Sequence, residues 1–481
     1  MPNKFLLNLS FLIALNILVK PFWVFIIDLG IQNTVGPDEY GIYFTLFSHA
    51  FLLHILLDFG ISNYNNRSIA QSPHLLPHYL PNLLILKTLL IIAYTLLSFL
   101  GAFWIGYSNH HLYLLVFLMF NQITLSFILY FRSNLQGLHL FKQDRIMSIL
   151  DRSLMIIFCS VLLWGGIRQD PFTIDLFIYA QSIAYILSAL IAWYWLQQQV
   201  NHSLQFTWDP HLLKSILKKT YPFALIGLLM SIYARIDSVM LHYLLPETGN
   251  SEAGIYAASY RLLDAVHMFA MLFSAILLPL FARMLANKEN INDLVHFNGK
   301  LLFAASTIIA LSSWAFSADI MSLLYLEATP YYAQIFGYLI FSFIGISSVY
   351  VYGTLLTANN NLWTINSIAL LGVLANIALN YILIDQHKAL GATIATLITQ
   401  NMVAAAFVLA SFRILALQFS WIGLLRLLVF TILCSSIAYY SPSLPYTWFF
   451  NWIICLVGCL LAALLLRIID LTELKKYAHI P

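Results

Sequence analysis

The stretch YPFALIGLLMSIYARIDSVMLHYLL, Tyr221 to Leu245, is almost wholly apolar, yet it carries Arg235 and Asp237 beyond its middle. A helix rises 1.5 Å per residue, so about 20 apolar residues cross the roughly 30 Å hydrocarbon core of a bilayer. Runs of this kind recur along the whole chain. Of its 481 residues 61% are hydrophobic and 9% charged, where a soluble domain has roughly a quarter charged. The composition predicts an all-α, multi-pass membrane protein and leaves no stretch for a soluble domain of any size.

Working outward from 221–245, hydrophobic runs predict fourteen spans. They cover 5–27, 41–62, 82–106, 112–132, 147–166, 173–196 and 221–245, then 254–281, 299–317, 333–357, 362–384, 389–411, 422–440 and 447–467. The first run follows Lys4 and has no small-residue cleavage site, which predicts a retained span. An even number puts both termini on one side. Eighteen of the Lys and Arg residues, Lys87 among them, then fall on that side, and Arg168 and Lys388 alone on the other. Because positive loops stay in the cytoplasm, both termini are expected there.

Glu39-Tyr40-Gly41-Ile42-Tyr43 and Glu252-Ala253-Gly254-Ile255-Tyr256 match at four of five positions, each where a span follows an outward loop. A six-span unit used twice divides the chain into an N-terminal lobe (1–196), a cytoplasmic linker (197–220), a C-terminal lobe (221–412), and two last spans with a cytoplasmic tail (413–481). Parallel repeats of this sort are a transporter plan, with the substrate site between the halves.

A charge at the bilayer centre costs about 2.5–3.5 kcal/mol even on the lenient insertion scale. Lys20, Arg235, Arg261, Asp58, Asp237 and Asp264 all fall inside spans. Residues two apart on a helix point about 200° away from each other, so Arg235 and Asp237 cannot share a face. Arg261 and Asp264 are spaced i, i+3 and can pair. His54 with Asp58, and Asp264 with His267, are suited either to a proton relay or to a structural polar pair. Tyr256 and Tyr260, one turn apart beside Arg261, suit either sugar stacking or an interfacial aromatic belt.

No phosphate-binding GxxxxGK[ST] loop, HExxH, CxxC pair or nucleophile elbow occurs. No cofactor, metal or nucleic acid is expected, and no enzymatic chemistry. Cys159, Cys434, Cys455 and Cys459 lie in predicted spans and read as packing residues.

VGPDEYGIYFTLFSHAFLLHILLDFGISNYNNRSIA (Val35 to Ala70) resembles the first signature of the bacterial polysaccharide or O-antigen flippase family. That family lies in the multidrug, oligosaccharidyl-lipid and polysaccharide exporter superfamily. The segment Tyr221 to Leu263, with Pro222, Asp237 and Gly254-Ile255-Tyr256, shows the same likeness, and Pro279 fits it. Asn33 stands where such proteins often carry an Arg. The resemblance implies translocation of an undecaprenyl-diphosphate-linked oligosaccharide from the cytoplasmic to the periplasmic leaflet of the bacterial inner membrane, by alternating access.

On that reading Lys20, Arg235 and Arg261 contact the headgroup, and His54, Asp58, Asp237 and Asp264 are charge partners or ion-coupling sites. The implied partners are the lipid-linked substrate, the bilayer, H+ or Na+ if transport is ion-coupled, and polysaccharide-assembly proteins. The alternatives are a cation-coupled multidrug exporter of the same superfamily and, behind it, a polytopic polymerase or ligase.

Overall fold

A bilayer offers the backbone no hydrogen-bond partner, so apolar runs of this length fold as helices. The computed structural model describes residues 19, 21–166, 171–199 and 209–469. Among them it is all helix and connection, with no strand. Lys20 lies outside the described residues.

A π-helical turn, Trp23–Asp28, leads into α1 (Leu29–Leu52), followed by a 3-10 turn, His54–Leu57. Then come α2 (Ile61–Gln71), α3 (Leu76–Ile105), α4 (Asn109–Gly137), α5 (Phe141–Trp164), α6 (Ile174–Gln197) and α7 (Pro210–Leu244). The remainder is α8 (Gly249–Ala286), α9 (Asn292–Ala315), α10 (Ser317–Leu324), α11 (Pro330–Leu339), α12 (Ser342–Ala358), α13 (Leu362–Ile414), α14 (Trp421–Tyr440) and α15 (Trp448–Leu465). Side chains close several exposed ends: Ser108 accepts from His111 N–H, Asp209 from Leu212 N–H and Ser420 from Gly423 N–H.

Among the described residues eleven helical stretches are long and apolar enough to cross a membrane, and the pair Trp23–Leu52 and His54–Gln71, bent by 49°, supplies a twelfth. The expected spans from residue 82 onward all fall on these helices. Helix α13 holds two of them: at 53 residues it would be about 80 Å long if straight. It breaks instead at Lys388 (φ 53°, ψ −131°). A Cβ on Gly391 would lie 2.1 Å from the Leu383 carbonyl oxygen, so the two arms fold back on each other.

Most of the first expected span, 5–27, lies outside the described residues. Its end is corrected here: the helical path runs past residue 27 to Gly36 (φ 77°), where Gly36-Pro37 turns the chain into the next helix. Asp28, read as part of an outward loop, is therefore buried inside a helix and accepts from Tyr40 Oη at 2.9 Å and Gln32 Nε2 at 3.3 Å.

The chain divides into two compact units, Met1–Gly254 and Ile255–Pro481. In the first, α1 packs on α7 and α4, and α4 on α6 and α2. Helix α7, which opens the second expected lobe, belongs to this unit. Here the two glycines of the matched pentapeptides meet: a Cβ on Gly41 would lie 1.8 Å from Asn250 O, and one on Gly254 1.9 Å from Pro37 O. Each glycine is the place where one segment's backbone rests on the other's. In the second unit α13 packs on α12 and α11, and α9 on α12. Phe430, Cys434, Cys455 and Cys459 form a core of α14 and α15 against α9, with the cysteines as free, buried thiols.

Candidate functional site

Among the described residues Arg235, Asp58 with Lys87, and Arg261 with Asp264 mark three settings, two in the first unit and one in the second. Arg235 on α7 is half-buried. Its guanidinium carbon lies 5.7, 6.0 and 5.6 Å from the ring centroids of Phe44, Phe47 and Phe51. These three recur at i, i+3 and i+7, one face of α1, so the helix presents a continuous aromatic stripe. The stripe ends at His54, whose ring stacks on Phe51 at 3.9 Å. His54 Nδ1 lies 2.8 Å from the Phe51 carbonyl, which can only accept, so Nδ1 carries the proton. Ser231, one turn before Arg235, brings its hydroxyl to 3.4 Å of the same nitrogen and donates to Gly227 O at 2.7 Å. Thr45 donates to Ser238 O at 3.3 Å and ties α1 to α7 beside the arginine. Asp237 is fully buried, on a different face of α7 from half-buried Arg235.

A cation on an aromatic face is attracted by the ring quadrupole, by about 0.5–2 kcal/mol depending on desolvation. A guanidinium carries along its edge N–H donors that match phosphate oxygens in a bidentate way. In sequence alone Phe44, Phe47 and Phe51 do not stand out, because aromatic residues in a span are ordinarily lipid-facing or core. Their helical spacing opposite a charged span was the available signal.

The second setting is a break. His54 and Asp58 were read as i, i+4 neighbours on a continuous helix, but α1 ends at Leu52, residues 54–57 form a 3-10 turn, and Phe59 (φ 49°) and Gly60 (φ 79°) are left-handed. Asp58 turns instead to the start of α2, accepting from the Ser62 N–H at 3.3 Å and from the Ser62 hydroxyl. Its charge partner is Lys87, at 3.8 Å.

Lys87, expected at the cytoplasmic end of a span, is no solvated loop charge. It is fully buried, about 16 Å along α3, with Nζ donating to Leu57 O at 2.8 Å and Ser126 Oγ at 2.6 Å. It also lies over the Phe127 and Tyr130 rings at 5.8 and 5.6 Å. Irregular backbone at membrane depth must find partners inside the protein. Ser126 Oγ also donates to Leu57 O, at 2.9 Å, so this carbonyl of the turn is satisfied twice.

In the second unit Arg261 Nη1 stands 4.0 Å from Asp264 on α8, and the two side chains are 17% and 26% exposed. His267, one turn on, hydrogen-bonds the Tyr350 hydroxyl of α12. Tyr256 Oη lies 3.3 Å from Thr396 Oγ1, and both Tyr256 and Tyr260 are buried, which corrects their reading as belt or sugar-stacking residues.

Helices of spanning length, with charges sequestered among them, define a polytopic membrane protein. The chain belongs to the polysaccharide biosynthesis protein family, whose profile matches residues 5–285. No curated protein sequence matches it significantly. Among solved structures it is similar to the lipid II flippase MurJ in an inward closed conformation, with a TM-score of 0.71 at 14% identity over 94% of this chain and 99% of that one. It is also similar to an inward-facing multidrug resistance MATE family transporter of the MOP superfamily, with a TM-score of 0.65 at 16% identity over 82% and 94% of the two chains. A third is a MOP superfamily transporter from Pyrococcus furiosus, with a TM-score of 0.56 at 15% identity over 87% and 97%. At such identities the likeness shows the fold, which is that of MOP-superfamily flippases and transporters.

Proposed function

We propose that the protein is a flippase that carries an undecaprenyl-diphosphate-linked oligosaccharide, such as an O-antigen repeat unit, from the cytoplasmic to the periplasmic leaflet of the bacterial inner membrane. Both termini lie in the cytoplasm on this reading. The lobes 1–196 and 221–412, joined by the linker 197–220, alternate in access, and 413–481 forms two appended spans and a tail. The observation that carries the proposal is Arg235 seated on the stripe of Phe44, Phe47 and Phe51. A diphosphate is a dense anion whose desolvation is offset by a cation inside the membrane region, and the Arg235 guanidinium beside the three rings supplies one.

Arg261 and Lys20 are the further headgroup contacts of this reading. His54, Asp58, Asp237 and Asp264 are charge partners or coupling groups, and Asp58 is the counter-ion of Lys87. Moving negative charge outward also runs with an inside-negative potential, worth about 2.3 kcal/mol per elementary charge per 100 mV. Transport then needs no nucleotide; H+ or Na+ coupling through Asp264 and His267 is the alternative drive.

The test uses proteoliposomes with fluorescent undecaprenyl-diphosphate oligosaccharide in both leaflets and an impermeant reagent outside. Expected is accessibility beyond the outer-leaflet fraction, lost in Arg235→Ala and changed by an imposed potential. No excess accessibility in folded protein overturns the proposal. The likeness to MATE transporters supports the second reading, a cation-coupled exporter, for which cation-driven efflux of a lipophilic drug cation from the same vesicles is the expected signal.

A further inference from the structure

Helices α4 and α6 run side by side in the first unit and leave an apolar groove of about 690 Å³ between them, lined by Tyr113, Phe117, Phe120, Tyr179, Ile183 and Ile186 among others. Several of these side chains face outward from the bundle: Tyr113 and Ile183 are 50% exposed and Phe120 42%. The groove changes character along its length. At the starts of both helices His110 Nε2 lies 3.8 Å from Asp175 Oδ1, with the two side chains 59% and 34% exposed. One turn deeper the Tyr113 and Tyr179 hydroxyls bond each other at 2.9 Å across the gap. Below them Phe117 packs edge-on against both rings, at 5.2 Å from Tyr113 and 5.1 Å from Tyr179. Deeper still the lining is Phe120, Ile183 and Ile186.

At 1.5 Å per residue, Tyr113 lies about 6 Å from the end of α4, and Phe120 and Ile186 about 16–18 Å from the ends of their helices. One leaflet of hydrocarbon is about 15 Å deep. The groove therefore spans one leaflet, hydroxylated at its mouth and apolar to its foot, with the His110 and Asp175 pair one turn beyond its lining. That is the polarity profile of a single phospholipid, and the volume lies within the range of small-ligand pockets, about 300–1,000 Å³. The rim presents a carboxylate beside an imidazole, which complements an ammonium and a phosphate together and not an anion alone.

We propose that this groove holds one resident zwitterionic phospholipid of the leaflet at the α4 and α6 starts, phosphatidylethanolamine in chemistry. Its ammonium faces Asp175, its phosphate faces His110, and one acyl chain lies along Phe117, Phe120 and Ile186. The lipid is a structural ligand and is distinct from any cargo.

The test is native mass spectrometry of the full chain released from nanodiscs of phosphatidylethanolamine and phosphatidylglycerol, with and without undecaprenyl phosphate. Expected is one phosphatidylethanolamine retained by the wild type, lost when Val116→Trp fills the groove, and kept when Leu371→Trp changes an exposed position on α13. Asp175→Asn is expected to abolish the preference over phosphatidylglycerol, and it serves alone if Val116→Trp does not fold. Equal retention of phosphatidylglycerol by the wild type, preferential retention of the polyprenyl phosphate, or an undiminished lipid in Asp175→Asn overturns the proposal.

Discussion

Lys87 and Arg235 are both cations within the helices of the first unit, and the protein holds them by different chemistry. Around Lys87 are a carbonyl, a hydroxyl and a carboxylate, at 2.8, 2.6 and 3.8 Å, and the Phe127 and Tyr130 rings at 5.8 and 5.6 Å, with no part of the side chain exposed. Arg235 is half-buried against three phenylalanine rings. An ammonium is a compact point charge that wants oxygen on every side, whereas a guanidinium can be supported on its face and still donate from its edge. The comparison sets a fully buried cation bonded to the break after α1 against a half-buried one that the proposed function assigns to the anionic headgroup.

The sharpest way to break that separation is Lys87→Met. It removes the donor to Leu57 O and Ser126 Oγ and the charge partner of Asp58, whose side chain is 21% exposed, and each lost hydrogen bond to a buried charged group costs about 1.5–3 kcal/mol. The expected outcome is a large fall in melting temperature and in folded yield from detergent. A variant that melts like the wild type makes Lys87 a functional group and not a structural one. Asp58→Asn, which keeps an acceptor for Ser62, should cost less than Lys87→Met in the same measurement.

Gly41→Ala is the next largest. Its Cβ would meet the Asn250 carbonyl at 1.8 Å, against backbone that no rotamer change can move aside. Overpacking of this kind costs about 1–3 kcal/mol. Thermal melting should fall, and Gly254→Ala should match it because the contact is mutual. Unequal effects break the view that the two pentapeptides meet as equivalents.

Arg235→Ala should leave the melting temperature near that of the wild type while lowering transport about ten- to a hundredfold, the equivalent of about 1.5–3 kcal/mol for a hydrogen bond to a charged group. Arg235→Lys keeps the charge but not the stack, and is expected to fall between. Phe47→Leu weakens the support without touching the donors and is expected to cost a few-fold. Equal loss of stability and transport in Arg235→Ala would place this residue with Lys87.

The sequence made the helices legible because apolar length is a strong signal: the expected spans from 82 to 467 fall on helical stretches, 333–357 on the two helices α11 and α12, and the turn between 384 and 389 falls at Lys388. The opposed faces of Arg235 and Asp237 followed from helical periodicity alone. What it hid were features that depend on a partner far along the chain. Nothing near Lys87 announces that its amine will cap a broken turn 30 residues earlier. Asp58-Phe59-Gly60 offered only one glycine as a sign that α1 would stop, and Asp28 looked like loop because Gly36-Pro37, not residue 27, ends the first span.

The smallest expected effect is at Arg261 and Asp264, and it sharpens the comparison by adding a third kind of cation. Here the charges are 4.0 Å apart and both side chains keep some exposure, so the pair is worth about 0.2–1 kcal/mol, in the manner of partly solvated pairs. Arg261→Ala should therefore barely move the melting temperature, and Asp264→Asn likewise. If Asp264 couples an ion, Asp264→Asn changes how flipping responds to an imposed H+ or Na+ gradient while Arg261→Ala chiefly weakens substrate handling. If the two variants behave alike in both respects, they are one modest ion pair on α8, and Asp264 is not the coupling group.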